Sequence, residues 1–182
     1  MDFASKMCGD GLDPRENEAL YDIVMAARPE VAFEVGTRRG GGSTRFIASA
    51  MRANGRGMLY TAECDRACYD EAVALFDGPL SGLRPHVTLH HGKSHDIFPR
   101  VLEAVPRIDL LFLDGEENSA QTMREIAMFS PKLLPGAYLV CHDWNIHKMA
   151  ELRPMVEGSR EWEPILVVSD TQTGFAIYRK KG

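Results

Sequence analysis

Glu34-Val35-Gly36-Thr37-Arg38-Arg39-Gly40-Gly41-Gly42-Ser43 is the stretch on which the reading of this chain turns. The apolar run Val31-Ala32-Phe33 leads into it, and Thr44-Arg45-Phe46-Ile47-Ala48-Ser49-Ala50-Met51 comes next with helical spacing. Strand, glycine-rich turn, helix is the context in which a glycine cluster becomes a candidate cofactor loop. Glycine lets the backbone turn sharply and lets a ligand approach with no Cβ in the way. The first N–H groups of the helix are then free to face that ligand. The same glycines would also serve a plain tight turn, so the residues beyond the loop have to decide between the two.

The rest of the chain alternates. Leu20, Ile23, Val24 and Ala27 fall at helical spacing and predict a leading helix over 14–28. A buried strand over 31–35 and a helix over 43–54 come next. Strands over 58–62, 86–91, 108–113 and 137–141 then alternate with helices over 66–76, 96–105 and 119–134. A last helix over 146–158 contains Pro154, which should kink or split it. The end differs: two apolar runs, 162–168 and 174–179, flank Ser169-Asp170-Thr171-Gln172-Thr173 with no room for a helix, so they should pair as an antiparallel hairpin. The expected fold class is α/β, with a mostly parallel seven-stranded sheet covered by helices on both faces in three layers. The expected organisation is one domain over 1–182, with a leading helix in 1–29, a cofactor-binding core over 30–145, and the last helix and closing hairpin in 146–182.

Size and composition narrow the function. A chain of 182 residues buries roughly 70% of its unfolded surface as one domain. Lys and Arg number 21 against 26 Asp and Glu, a net charge of −5. The basic residues are scattered, which leaves nucleic acid no electrostatic footprint. No apolar run approaches the roughly 20 residues of a membrane span. Met1-Asp2-Phe3-Ala4-Ser5-Lys6 lacks the basic start and apolar core of a secretion signal. Of Cys8, Cys64, Cys68 and Cys141, only Cys64 and Cys68 are closely spaced, so free thiols and a cytoplasmic location are expected.

In an open α/β sheet, ligands sit at the carboxyl ends of the strands, where the strand order reverses. Those ends carry, in turn, the glycine loop, Glu63, Gly92-Lys93-Ser94-His95, Asp114-Gly115-Glu116-Glu117 and His142-Asp143-Trp144-Asn145. A solvated loop predicts polar residues, but not a carboxylate at the exits of the second, fourth and fifth strands. Glu63 could accept hydrogen bonds from both hydroxyls of a ribose, in NAD and S-adenosylmethionine alike. Two observations separate those cofactors. The loop has Arg38 where the Gly-x-Gly-x-x-Gly order needs glycine, and no Tyr-x-x-x-Lys pair occurs. A carboxylate-rich cleft also suits a sulfonium and an ammonium better than a pyrophosphate. Trp144 would stack on an aromatic acceptor or form a lid. Arg38 and Arg39 would grip a carboxylate or simply be solvated. His90 and His91 alternate faces and cannot share a metal.

Taken in order, these segments resemble the class I S-adenosylmethionine-dependent methyltransferases of the small-molecule, catechol-type O-methyltransferase kind, with a Rossmann-like domain. Glu34-Val-Gly-Thr-x-x-Gly is similar to the family's first motif, and Leu59-Tyr-Thr-Ala-Glu63 to its ribose-binding motif. Gly92-Lys-Ser-His-Asp-Ile-Phe-Pro99 is similar to the segment that passes the adenine. Asp109-Leu-Leu-Phe-Leu-Asp114-Gly and Pro135-Gly-Ala-Tyr-Leu-Val-Cys-His-Asp143 are similar to the fourth- and fifth-strand motifs. The resemblance implies that Glu34, Gly36, Thr37, Gly40 and Ser43 serve the methionine end, Glu63 the ribose, and Ser94 and His95 the adenine edge. It implies Asp114 and Asp143 as ligands of Mg²⁺ or another divalent cation, with His142 or Asn145 completing the shell. Two departures stand out: Gly42 occupies the family's serine position, and Glu117 stands where catechol-type members carry a lysine base. The acceptor would be a small hydroxylated molecule. Its proton would be removed through a metal or by His142 as general base, with Asp143 beside it. A nucleotide-dependent oxidoreductase and a non-catalytic S-adenosylmethionine-binding subunit are the competing readings. The apolar face of the leading helix suggests a homodimer.

Overall fold

The computed structural model describes residues 12–115 and 118–182. Helices α1 (Pro14–Ala27), α2 (Ser43–Asn54), α3 (Arg66–Asp77), α4 (Ser94–Ala104), α5 (Ser119–Phe129) and α6 (Leu152–Gly158) alternate with strands through most of the chain. The strands are β1 (Val31–Val35), β2 (Met58–Glu63), β3 (Val87–His91), β4 (Ile108–Leu113), β5 (Leu133–His142), β6 (Trp162–Val168) and β7 (Phe175–Lys180). They form one seven-stranded sheet in the order β3-β2-β1-β4-β5-β7-β6. The first five strands run parallel, and β7 pairs antiparallel with both β5 and β6, as the terminal hairpin predicts. Among the described residues no helix is long and apolar enough to cross a membrane.

Helices cover both faces because the central strands are apolar on both. Leu20 and Val24 of α1, Ile47 and Met51 of α2, and Ala72 and Phe76 of α3 pack on one face with Ala32 and Leu59. Phe98 and Leu102 of α4, Ile126 and Phe129 of α5, and Leu152 and Val156 of α6 pack on the other with Phe33 and Val35. The period-two alternation of β1 sends Ala32 one way and Phe33 the other. The Phe33 ring centroid lies 5.1–5.4 Å from those of Tyr60, Phe98 and Phe129.

Several boundaries differ from the sequence expectation. A 3₁₀ turn, Ser81–His86, precedes β3, which therefore starts at Val87. The helix expected to reach residue 134 ends at Phe129, and Ser130–Lys132 is a 3₁₀ turn containing Pro131. β5 starts at Leu133 and takes in Pro135 and Gly136 across an irregular register with β4; a bulge absorbs the missing proline donor. The last helix splits, but not at Pro154. A 3₁₀ turn, His147–Met149, stands apart from α6, and Pro154 falls in the first turn of α6, where its missing N–H leaves no gap.

The sheet order places the site. From β1 the chain moves outward to β2 and β3, then returns to β4 on the other side of β1. The connections above β1 and β4 diverge and leave a crevice at their carboxyl ends.

Candidate active site

The crevice opens on a cleft of about 420 Å³, with Gly36, Thr37, Arg38, Gly42 and Ser43 on one wall and Asp114, Gly115, His142 and Asp143 opposite. Glu63, at the end of β2, lines the cleft on the other side of β1 from Asp114, and Thr173 from the β6–β7 loop also lines it. A narrow pocket of about 40 Å³ shares Gly36, Glu63 and Gly115 and continues to Gly92, Lys93 and Ser94. Gly36 has φ +97°, and a Cβ there would stand 2.7 Å from the Asp114 carbonyl oxygen. Only glycine lets the two strand ends come this close. The Gly36 and Thr37 N–H groups both donate to the Ala62 carbonyl, at 3.1 and 3.2 Å. Glu63 accepts the Arg38 N–H at 2.6 Å on one carboxylate oxygen and the Asp65 N–H at 2.8 Å on the other. Each oxygen keeps a lone pair for a further donor, so a pair of adjacent hydroxyls fits this carboxylate.

Beneath the loop lies Glu34, fully buried in β1. It accepts hydrogen bonds from the Ser43 hydroxyl at 2.6 Å, the Thr44 hydroxyl at 2.7 Å and the Thr61 hydroxyl at 2.6 Å. Burial raises its pKa, and the three hydroxyls oppose that rise; the net result is about 7. Glu34 thus ties the first turn of α2 to the sheet.

The far wall is an ionic cluster. The Asp114, His142 and Asp143 ligand atoms lie within 4.8 Å of one another. His142 Nδ1 is 3.0 Å from Asp114 Oδ1 and 3.4 Å from Asp143 Oδ1. Lys148 joins from the His147–Met149 turn. Its Nζ is 3.1 Å from Asp114 Oδ1 and 2.6 Å from Asp143 Oδ2, and the side chain is 6% exposed. From α1 comes Glu16, which is 2% exposed and has its Oε2 3.5 Å from His142 Nε2. Burial pulls the His142 imidazole down, but the hydrogen bonds and charges of Asp114 and Asp143 outweigh it and push the pKa up to about 10. Burial likewise raises Asp143, but His142 and Lys148 overcome it and hold Asp143 at about 2. Burial lowers Lys148, but the two aspartates outweigh it and leave the ammonium above its ordinary value. The cluster thus sets two basic groups, His142 and Lys148, among three acids, Asp114, Asp143 and Glu16, and burial raises the Glu16 carboxyl above its ordinary value. Two buried atoms, Glu16 Oε1 and His142 Nε2, have no hydrogen-bond partner. Asp143 has φ +59° in a non-glycine residue, a conformation that Asp tolerates and that collects at functional sites.

Residues 33–144 match the family model described as a methyltransferase domain. The chain belongs to that methyltransferase family. Among solved structures, the O-methyltransferase TomG of Streptomyces achromogenes, involved in tomaymycin synthesis and in complex with SAM, superposes with TM-score 0.80 at 18% identity, covering 100% of this chain and 91% of its own. The O-methyltransferase of Bacillus cereus in complex with SAH gives 0.78 at 17%, covering 98% and 86%. The SAH-bound methyltransferase PaMTH1 of Podospora anserina gives 0.74 at 12%, covering 95% and 81%. At such identity the likeness is one of fold. No curated protein matches the chain significantly.

In this methyltransferase the cleft gathers Gly36, Thr37, Ser43, Glu63, Asp114, His142 and Asp143 from the residues singled out in the sequence, and Ser94 lines the adjoining narrow pocket. Glu34 does not line the cleft, because strand alternation turns it inward beneath α2. Gly40 does not line it either. A Cβ there would stand 3.0 Å from the Phe76 ring, so this glycine lets α3 approach. The Ser94 hydroxyl is committed to Glu125 Oε1 at 2.5 Å. His95 is exposed, 3.9 Å from Asp96, and lines neither pocket. Arg39 pairs with Glu71 on the surface. Trp144 is neither platform nor lid: it is fully buried against Tyr178. Asn145 is not part of the Asp114–His142–Asp143 cluster; its amide donates to the Ser169 and Thr171 carbonyls and holds the hairpin loop. The position of Glu117 lies outside the described residues.

Glu16 and Lys148 were missed. Glu16 completes a capping box with Asp13, the Asp13 N–H donating to Glu16 Oε2 at 2.9 Å, which explains the residue without reference to any site. Lys148 precedes two buried residues, Met149 and Leu152, and that apolar surround was its only signal.

The divalent cation implied by the resemblance has to fit this cluster, and it does not. The Lys148 ammonium already lies within bonding distance of both carboxylates, and His142 Nδ1 is taken up by Asp114 at 3.0 Å. A divalent ion placed there would stand against the ammonium.

Proposed function

We propose that this methyltransferase moves the methyl group of S-adenosylmethionine to a hydroxyl of a small molecule. The observation that supports this most strongly is the opening of the glycine loop and Glu63 onto the same cleft as His142 and Asp143. In this reading Gly36, Thr37, Gly42 and Ser43 flank the methionine end. The two oxygens of Glu63 take the ribose hydroxyls, and the narrow pocket beside Ser94 takes the adenine edge.

The reaction is an in-line displacement. The acceptor oxygen stands about 3 Å from the methyl carbon, opposite the sulfur. The carbon–sulfur bond breaks, and sulfur keeps the electron pair. A carbon–oxygen bond forms, and the hydroxyl proton is released. His142 holds Asp114 and Asp143 through Nδ1, while its buried Nε2 faces Glu16 Oε2 at 3.5 Å. Asp143 Oδ1, the oxygen not bonded to Lys148, receives the proton as the methyl arrives. A carboxylate held at about 2 suffices, because a hydroxyl oxygen that is acquiring a methyl group is a far stronger acid than a free hydroxyl. In this reading His142 orients Asp143, and Asp143 takes the place of the metal or the His142 base that the sequence left open.

We take the whole chain as one methyltransferase domain and its setting as the cytoplasm, where Cys64, Cys68 and Cys141, free thiols in this structure, would remain reduced. Isothermal titration with S-adenosylhomocysteine, against NAD and NADH, tests the cofactor. Glu63→Ala should lower S-adenosylhomocysteine affinity at least about tenfold, since hydrogen bonds to a charged acceptor contribute about 1.5–3 kcal/mol each. An unchanged affinity, or preferential binding of NAD, would reject the reading.

A further inference from the structure

We infer that Lys148 is the resident cation of this site: its ammonium stands in for the divalent ion, and methyl transfer in this chain proceeds without metal. Asp114 and Asp143 stand at the ends of β4 and β5, which are adjacent parallel strands, so the fold brings two carboxylates together at one point. Like charges at that spacing repel unless a cation joins them. The cation is supplied covalently. Lys148 Nζ bonds one oxygen of each carboxylate, at 3.1 and 2.6 Å.

The approach is built, not incidental. Met149 and Leu152, both fully buried, anchor the turn that carries Lys148, and the lysine side chain is itself 6% exposed. The ring of Trp144 is buried in the same core cluster as Met149 and Leu152. A surface lysine would exchange freely with solvent; this one is held against the two acids by packing. A divalent ion entering the cluster would have to displace a buried ammonium or sit beside it, with strong repulsion at that distance. Lys148 does not line the cleft, so it is a positioning residue. It fixes the Asp143 carboxylate that faces the acceptor.

Only the role of Asp143 rests on the proposed function, and the metal-binding measurement stands apart from turnover. Mn²⁺ binding to the full chain is followed by electron paramagnetic resonance and calorimetry, with S-adenosylhomocysteine binding measured on the same samples. The wild-type chain should take up no Mn²⁺ at this cluster, and EDTA should leave both its melting temperature and its turnover unchanged. Lys148→Ala should open the place between the carboxylates and bind Mn²⁺ at least about tenfold more tightly, because a positive charge a few ångströms from the ion is removed. Asp114→Asn in that background should abolish the gain. A lysine serving only packing would lose stability on substitution without gaining a metal. If Lys148→Ala does not fold, the wild-type measurement decides alone. Stoichiometric Mn²⁺ on the wild-type chain that is lost in Asp143→Asn overturns the inference. So does a folded Lys148→Ala that binds S-adenosylhomocysteine and no metal. Loss of S-adenosylhomocysteine binding in the wild-type chain would refute the cofactor reading and leave the metal result standing.

Discussion

Replacing Glu34 by Gln should remove a specific pH dependence of stability. Glu34 is fully buried, with three hydroxyls donating to it, and its pKa in the folded chain is about 7 against 4.5 for the free side chain. A carboxyl group with a raised folded pKa binds more protons in the native than in the unfolded state between those two values. Its contribution to stability is therefore complete below pH 4.5 and is lost as pH rises through about 7. At about 1.4 kcal/mol per pH unit, the separation between 4.5 and about 7 corresponds to about 3 kcal/mol. Roughly three quarters of it falls between pH 5 and 8. Glutamine keeps the shape and cannot titrate. Urea unfolding of both proteins, followed by tryptophan fluorescence at pH 5, 6, 7 and 8, isolates the effect, since the other titrating groups are common to both. The wild-type stability minus that of Glu34→Gln should fall by about 2–3 kcal/mol over this range, or roughly 4–12 °C in melting temperature for a chain of this size. Parallel pH profiles would refute the reasoning. They would mean that the hydroxyls of Ser43, Thr44 and Thr61 outweigh burial and that the carboxylate is already ionised at pH 5.

Three further outcomes are expected. Gly36→Ala should lower stability by about 1–3 kcal/mol in denaturant titrations, because its φ of +97° and the Asp114 carbonyl 2.7 Å from the new Cβ leave no relief; it should also weaken S-adenosylhomocysteine binding. With His142 raised to about 10, turnover should be level through pH 6.5 and fall as pH climbs toward 10. His142→Gln should lose roughly 10²-fold in turnover along with that alkaline limb, as for removal of one charge-stabilising donor; a wild-type loss of rate below pH 6.5 would restore the neutral-base mechanism. Light scattering should give twice the mass of one chain, because edge strand β6 exposes Ile165 and Val167; a monomer at high protein concentration would exclude the homodimer.

The sequence by itself determined the α/β alternation, the closing hairpin and the strand-end positions of Gly36, Glu63, Asp114, His142 and Asp143. All of these are local: a strand and the turn that ends it are contiguous in the chain, so periodicity and glycine placement reveal them. Element boundaries around Pro131, Pro135 and Pro154 were less legible, because a 3₁₀ turn and a bulge accommodated prolines that local rules treat as breaks. The rest was decided by packing between distant segments. Glu34 appeared as a ligand contact, but which face of β1 carried it became clear only once α2 lay across that face. Trp144 sat beside the site in sequence and in the core in space, because the hairpin loop turned it inward through the Trp144 N–H and the Gly174 carbonyl, at 3.1 Å. Glu16 and Lys148, 126 and 6 residues from His142 in the chain, reach the same cluster from α1 and the His147–Met149 turn. Lys148 bonds both carboxylates and Glu16 faces the imidazole, and these contacts bear on the fit of a metal. Burial and ion pairing depend on three-dimensional proximity, and no spacing along the sequence encodes the docking of α1 or the fold of that turn.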